Sequence, residues 1–175
     1  MHRRLAKLPV WTAMAAVLAM ALPLQADAPP KPPATYTVYS NNGKFHAEVN
    51  LSRQRTTVYR GSGKTRQTLW SVPGWFRVAA VSDDGNILVT GYDGVNLLPL
   101  HFTGEEVLLT FFDRGKVTAK VTVRDLFPDP KQLRRTVSHW AWGDYLGFNA
   151  QNQFQVKLVT GSIVTFDPRT GSRLR

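Results

Sequence analysis

The stretch Val81-Ser-Asp-Asp-Gly-Asn-Ile87 decides the fold class, because the chain repeats its pattern. Tyr39-Ser-Asn-Asn-Gly-Lys-Phe45 precedes it and Phe148-Asn-Ala-Gln-Asn-Gln-Phe154 follows it. Each copy is an apolar strand end, a small polar turn and the start of a second strand. Asn, Asp and Gly suit such turns because they tolerate the positive φ that tight hairpins demand. A second turn with a basic residue and Gly follows each copy. These second turns lie in Thr57-Val-Tyr-Arg-Gly-Ser-Gly-Lys64, Leu109-Thr-Phe-Phe-Asp-Arg-Gly-Lys116 and Val164-Thr-Phe-Asp-Pro-Arg-Thr-Gly171. A fixed order of supersecondary units is the signature of a repeat architecture.

Aligning the first turns on Gly43, Gly85 and Asn152 makes the repeat checkable. Gly43 to Gly63 is 20 residues and Asn152 to Gly171 is 19, whereas Gly85 to Gly115 is 30. The middle copy therefore carries an insertion of about ten residues, placed within Gly94 to Glu106. A larger insertion, Leu126 to Ser138, separates the second and third copies. In this register Trp75 matches Trp142 and Val81 matches Phe148, so the two tryptophans are expected to fill equivalent core sites. Thr37-Val-Tyr39, Phe45-His-Ala-Glu-Val49 and Thr56-Thr-Val-Tyr59 have the β-branched, aromatic and alternating character of strands. The one helical turn expected lies around Asp129 to Arg135, after Pro128 and Pro130.

The first residues, His2, Arg3, Arg4 and Lys7, precede an apolar run from Leu8 to Leu24. That order reads as a signal peptide over 1–26. Cleavage is placed after Ala26, since Pro29 blocks a cut after Ala28. Residues 27–34, with Pro29, Pro30, Pro32 and Pro33, form an extended linker. Residues 35–175 form a single domain. The chain from Asp27 keeps 19 basic against 12 acidic residues, a net charge of +7, and has no cysteine. Disulfides, thiolate nucleophiles and Cys-ligated metals are thereby excluded. Export without disulfides points to the bacterial periplasm or exterior. No transmembrane span is expected after signal cleavage.

The order strand, Ser-x-Asp-Gly turn, strand, Asp-x-x-Thr-Gly turn resembles the blades of bacterial exported β-propeller-like repeat proteins. Ser82-Asp-Asp-Gly85 and Asp167-Pro-Arg-Thr-Gly171 carry the resemblance. It implies an all-β fold of antiparallel, blade-like hairpin repeats, about three units. Closed propellers need four to eight blades, so the stack is open, or a homodimer completes it. The alternative is a β-sandwich. No catalytic or binding residue transfers from so general a pattern.

Gly61-Ser-Gly-Lys-Thr65 looks like the end of a nucleotide-binding loop, but Val58 stands where the first glycine is required and a strand follows. The densest polar and aromatic segment is Ser138-His-Trp-Ala-Trp-Gly-Asp-Tyr145. Trp140, His139 and Tyr145 are its candidate ligand-binding residues, with Trp140 expected to be exposed and Trp142 buried. A catalytic alternative makes His139 a general base oriented by Asp144, in a hydrolase or lyase acting on an envelope polymer. No Gly-x-Ser-x-Gly elbow accompanies it. His46, His101 and His139 lack metal-ligand spacing, so no metal and no cofactor are expected.

Arg53, Arg55, Arg60, Lys64 and Arg66 occur with no acid between them. They are candidate contacts for an anionic surface, such as an acidic cell-envelope component or a periplasmic protein. Export removes nucleic acid as a target. The competing explanation is an edge hairpin whose charges prevent strand pairing between molecules. The function expected is an exported binding or interaction module of unspecified ligand.

Overall fold

The computed structural model describes residues 30–174. The segment 1–26, expected to be a signal peptide, lies outside them. In chain order the elements are β1 (Tyr36–Tyr39), β2 (Phe45–Asn50), β3 (Arg55–Arg60), β4 (Gln67–Pro73), β5 (Ala79–Val81), β6 (Ile87–Gly91), β7 (Leu97–Leu98), β8 (Val107–Asp113) and β9 (Lys116–Thr122). Then come α1 (Val123–Leu126), β10 (Arg134–Arg135), β11 (Trp140–Ala141), β12 (Gly143–Phe148), β13 (Phe154–Leu158) and β14 (Ile163–Phe166). They build four antiparallel sheets, none closed into a barrel: β1-β2-β3-β4, β5-β6-β8-β9, β12-β13-β14 and β10-β11-β7. The first three are the hairpin units expected from the repeat. The third acquires the beginning of a fourth strand where Arg173 bridges Phe166 and the Leu174 N–H donates to Thr165.

All three aligned turns share one backbone hydrogen bond, from Gly43 to Ser40, Gly85 to Ser82 and Asn152 to Asn149, and the first two also share their side-chain bonds. In the first, Ser40 Oγ accepts from the Phe45 N–H and Asn42 Oδ1 accepts from the Lys44 N–H. In the second, Ser82 Oγ accepts from Ile87 and Asp84 Oδ1 from Asn86. Asn149 Oδ1 serves the third turn alone, accepting from Gln151 and Gln153. Gly43, Gly85 and Asn152 have φ of 67°, 69° and 60°, the left-handed region that the alignment requires of all three. The turns also join one another. Asp83 Oδ1 accepts from the Asn42 N–H at 2.8 Å, and the Asp83 N–H donates to Asn152 Oδ1 at 2.9 Å.

Strand composition follows from the order in which the sheets stack. The middle sheet is covered on both faces: Ile87 and Val89 join the core shared with the third sheet, while Leu88 between them joins the core shared with the first. Its strands Ile87-Leu-Val89 and Val107-Leu-Leu-Thr-Phe-Phe112 are accordingly near-continuous apolar runs. The flanking sheets alternate, as in Phe154-Gln-Val-Lys-Leu158, where only every second residue is fully buried. β5, the first strand of the middle sheet, lies against β1 and β2 on one side and β12 on the other.

The two insertions meet. The insertion within Gly94 to Glu106 supplies β7, the insertion Leu126 to Ser138 supplies β10, and both strands pair with β11. The helical turn expected around Asp129 is a 3-10 turn at Pro130–Gln132, with the Asp129 side chain accepting from the Lys131 N–H. The sequence reading missed α1, which a reciprocal Thr122–Asp125 capping box starts. Trp142 is fully buried as expected, with its Nε1 donating to the Val95 carbonyl at 2.8 Å. Trp75 is not its core equivalent. It lies half-buried at the surface, and the neighbouring Phe76 packs toward the core instead. Gly74, with a φ of 110°, immediately precedes Trp75, between β4 and β5.

Candidate functional site

The Ser138 to Tyr145 segment is largely structural. Tyr145 is no stacking face: its hydroxyl accepts from the Tyr92 N–H at 2.8 Å and lies 3.3 Å from the carbonyl oxygens of Val95 and Leu108. Its ring meets Trp142 edge-on, and burial raises its phenol above the ordinary range. Trp140 is half-buried rather than exposed, set edge-on to Phe102 with the Arg135 guanidinium 5.2 Å over its ring. The His139 backbone closes a turn with Thr136, and its Nδ1 is 2.9 Å from Ser138 Oγ. Asp144 stands exposed on β12 opposite Lys157. No hydrogen bond or ion pair joins His139 to Asp144 among the described residues, so Asp144 does not orient the imidazole in this structure. A cleft of about 310 Å³ is lined by Asp144 together with Asn96, Arg134, Lys157 and Gly161 among others.

The basic residues of the first sheet are differently placed. β3 lies between β2 and β4, so Arg55 and Arg60 belong to an interior strand. Arg55 points away from the core and donates to Ser71 Oγ at 2.8 Å. Arg66 shares that outer face, with its guanidinium 4.2 Å from the Tyr59 ring centroid and 3.1 Å from Glu48. Arg60 does not share it, and lies 5.3 Å over the Phe45 ring. Arg53 occupies the β2–β3 turn and Lys64 the 3-10 turn Gly63–Thr65. That turn leads into β4 and not into a helix, which removes the phosphate-loop reading. Arg53, Arg55, Arg60 and Lys64 make no ion pair within 4 Å among the described residues, although the Arg53 charge acts on Glu48 from farther off. Arg55 to Arg60 alone spans about 17 Å along the strand.

The same face carries an aromatic ladder that sequence reasoning missed. Tyr39, His46 and Tyr59 occupy facing positions on β1, β2 and β3, with ring centroids 5.5 and 5.1 Å apart. Hairpin register around Gly43 would have revealed it, since the turn sets Tyr39 opposite His46. Burial between the rings, then the Arg66 charge, lowers the His46 pKa. No group of three or more His, Asp or Glu able to hold a metal occurs among the described residues, and no helix there is long and apolar enough to cross a membrane.

No protein-family model and no curated protein matches the chain. The solved structures similar to it include candidate 6-phosphogluconolactonases from Bacteroides fragilis NCTC 9343 and Bacteroides uniformis ATCC 8492. Each is 13% identical with a TM-score of 0.38, over 79% of this chain and 36% and 37% of theirs. The chain thus spans little more than a third of those proteins, and a likeness of this degree assigns it no activity.

Proposed function

We propose that the protein is an exported binding module of the β-propeller-like repeat class, and that the first sheet contacts an acidic component of the cell envelope. One observation carries the reading. Arg55 and Arg60 sit on an interior strand, where charges cannot serve to guard a sheet edge. β4 is the outer edge of that sheet, and it ends in Pro73, which blunts pairing by itself. The unneutralised cations therefore call for another explanation, and attraction to anions supplies one. Tyr39, 64% exposed at the end of the aromatic ladder on the same sheet, offers a flat contact.

Co-sedimentation with vesicles tests this. Vesicles bearing anionic lipopolysaccharide should carry the protein down, with binding weakening as salt rises through about 0.15 M. Equal recovery on zwitterionic vesicles would contradict it.

A further inference from the structure

The linker does not hang free of the domain. Trp75 Nε1 donates to the Ala34 carbonyl at 2.8 Å, and Arg77 Nη1 donates to the Lys31 carbonyl. These two acceptors are three residues apart. A polyproline-II helix has three residues per turn, so carbonyls at that spacing fall on one side of it. The intervening sequence enforces that conformation: Pro32 and Pro33 fix their own φ, and each disfavours the helical region for the residue before it. Proline lacks an N–H, so carbonyl oxygens are what such a segment offers to a donor. Trp75 and Arg77 supply donors at the matching period.

The platform is itself held rigidly. The Tyr36 hydroxyl donates to the Phe76 carbonyl at 2.7 Å. The Arg77 guanidinium lies 5.3 Å over the Trp75 ring and 3.3 Å from Asp93. Lys31, Pro32 and Ala34 of the linker lie along Tyr36, Trp75 and Arg77, and the six residues border a remaining cavity of about 200 Å³ beside the seated segment. An aromatic surface with an indole N–H donor is the usual receptor chemistry for proline-rich ligands.

We propose that Tyr36, Trp75 and Arg77 form a recognition groove for polyproline-II segments. The chain's own linker is its resident occupant, and a proline-rich segment of a partner protein enters by displacing it. This groove is separate from the basic face of the first sheet.

The test uses the full mature chain and the Trp75 indole N–H signal in NMR, assigned by its loss in Trp75→Phe. A Pro32→Gly/Pro33→Gly variant loosens the linker and keeps both acceptor carbonyls. The indole signal should shift in that variant. A synthetic peptide copying residues 27–34 should then return it saturably, while a copy with every proline replaced by serine should not. A short tether sets an effective concentration of about millimolar, so the wild-type signal should respond at least tenfold less to the same peptide. An unshifted signal in the loosened variant would overturn the proposal, since the linker would then not be what occupies the groove. No saturable response, or an equal response to both peptides, would overturn it too.

Discussion

Asn41 donates its side-chain Nδ2 to the carbonyl of Phe148 at 2.8 Å, joining residues 107 apart in the chain. The first turn thereby reaches β12, the first strand of the third sheet. With the Asn42–Asp83 and Asp83–Asn152 bonds, it closes a polar junction at one end of the stack. The turns are thus joints between sheets as well as hairpin ends, and their residues differ in what they can tolerate.

Gly43 and Gly85 separate backbone strain from crowding. Both need positive φ, but a Cβ on Gly43 meets nothing within 4 Å, whereas one on Gly85 would lie 2.3 Å from the buried Phe45 ring. Gly43→Ala should cost about 1 kcal/mol. Gly85→Ala should cost about 2–4 kcal/mol, because overpacking adds to the strain. Urea unfolding of both variants checks this, and equal costs would mean that Phe45 is not packed under the second turn.

The two tryptophans of the insertion segment should part company. Trp142→Ala removes a fully buried ring and leaves the Val95 carbonyl short of a donor, at about 3–5 kcal/mol. Trp140 loses only its contacts with Phe102 and Arg135, so Trp140→Ala should cost about 1–2 kcal/mol. Thermal melts giving equal losses would place Trp140 in the core proper.

His46 should make stability fall on mild acidification. Its folded pKa is lowered from 6.5, so the unfolded chain takes up the proton first. Its contribution is complete above that value and declines as pH drops from 6.5 toward the lowered one. Urea midpoints from pH 7.5 to 5 should show this decline, and His46→Gln should flatten it. An unchanged slope in the variant would assign the effect elsewhere.

Much of the fold was legible because turns and burial leave local marks. The positive φ at Asn152 could be read by aligning it with two glycines, and the doubly covered sheet shows in Ile87-Leu-Val89. Repeat register locates Trp75 along the chain but not the direction in which its side chain points. The polar and aromatic neighbours of Tyr145 in sequence make it look like a contact residue. The carbonyls that hold its hydroxyl come from residues 95 and 108, far away in the chain. The groove at Trp75 was invisible for the same reason, since its occupant lies about 40 residues upstream.

Position against mere charge is the decisive issue for the proposed function. Arg53, Arg55 and Lys64 replaced by Gln remove three charges from the first sheet. Lys116, Lys120 and Lys131 replaced by Gln remove three exposed charges elsewhere. Titration of each triple variant with anionic lipopolysaccharide vesicles, read as apparent Kd at fixed salt, compares them directly. The account predicts at least tenfold weaker binding for the first variant and less than threefold for the second. Equal weakening in both would show that net charge alone governs attachment, and would contradict a binding surface on the first sheet.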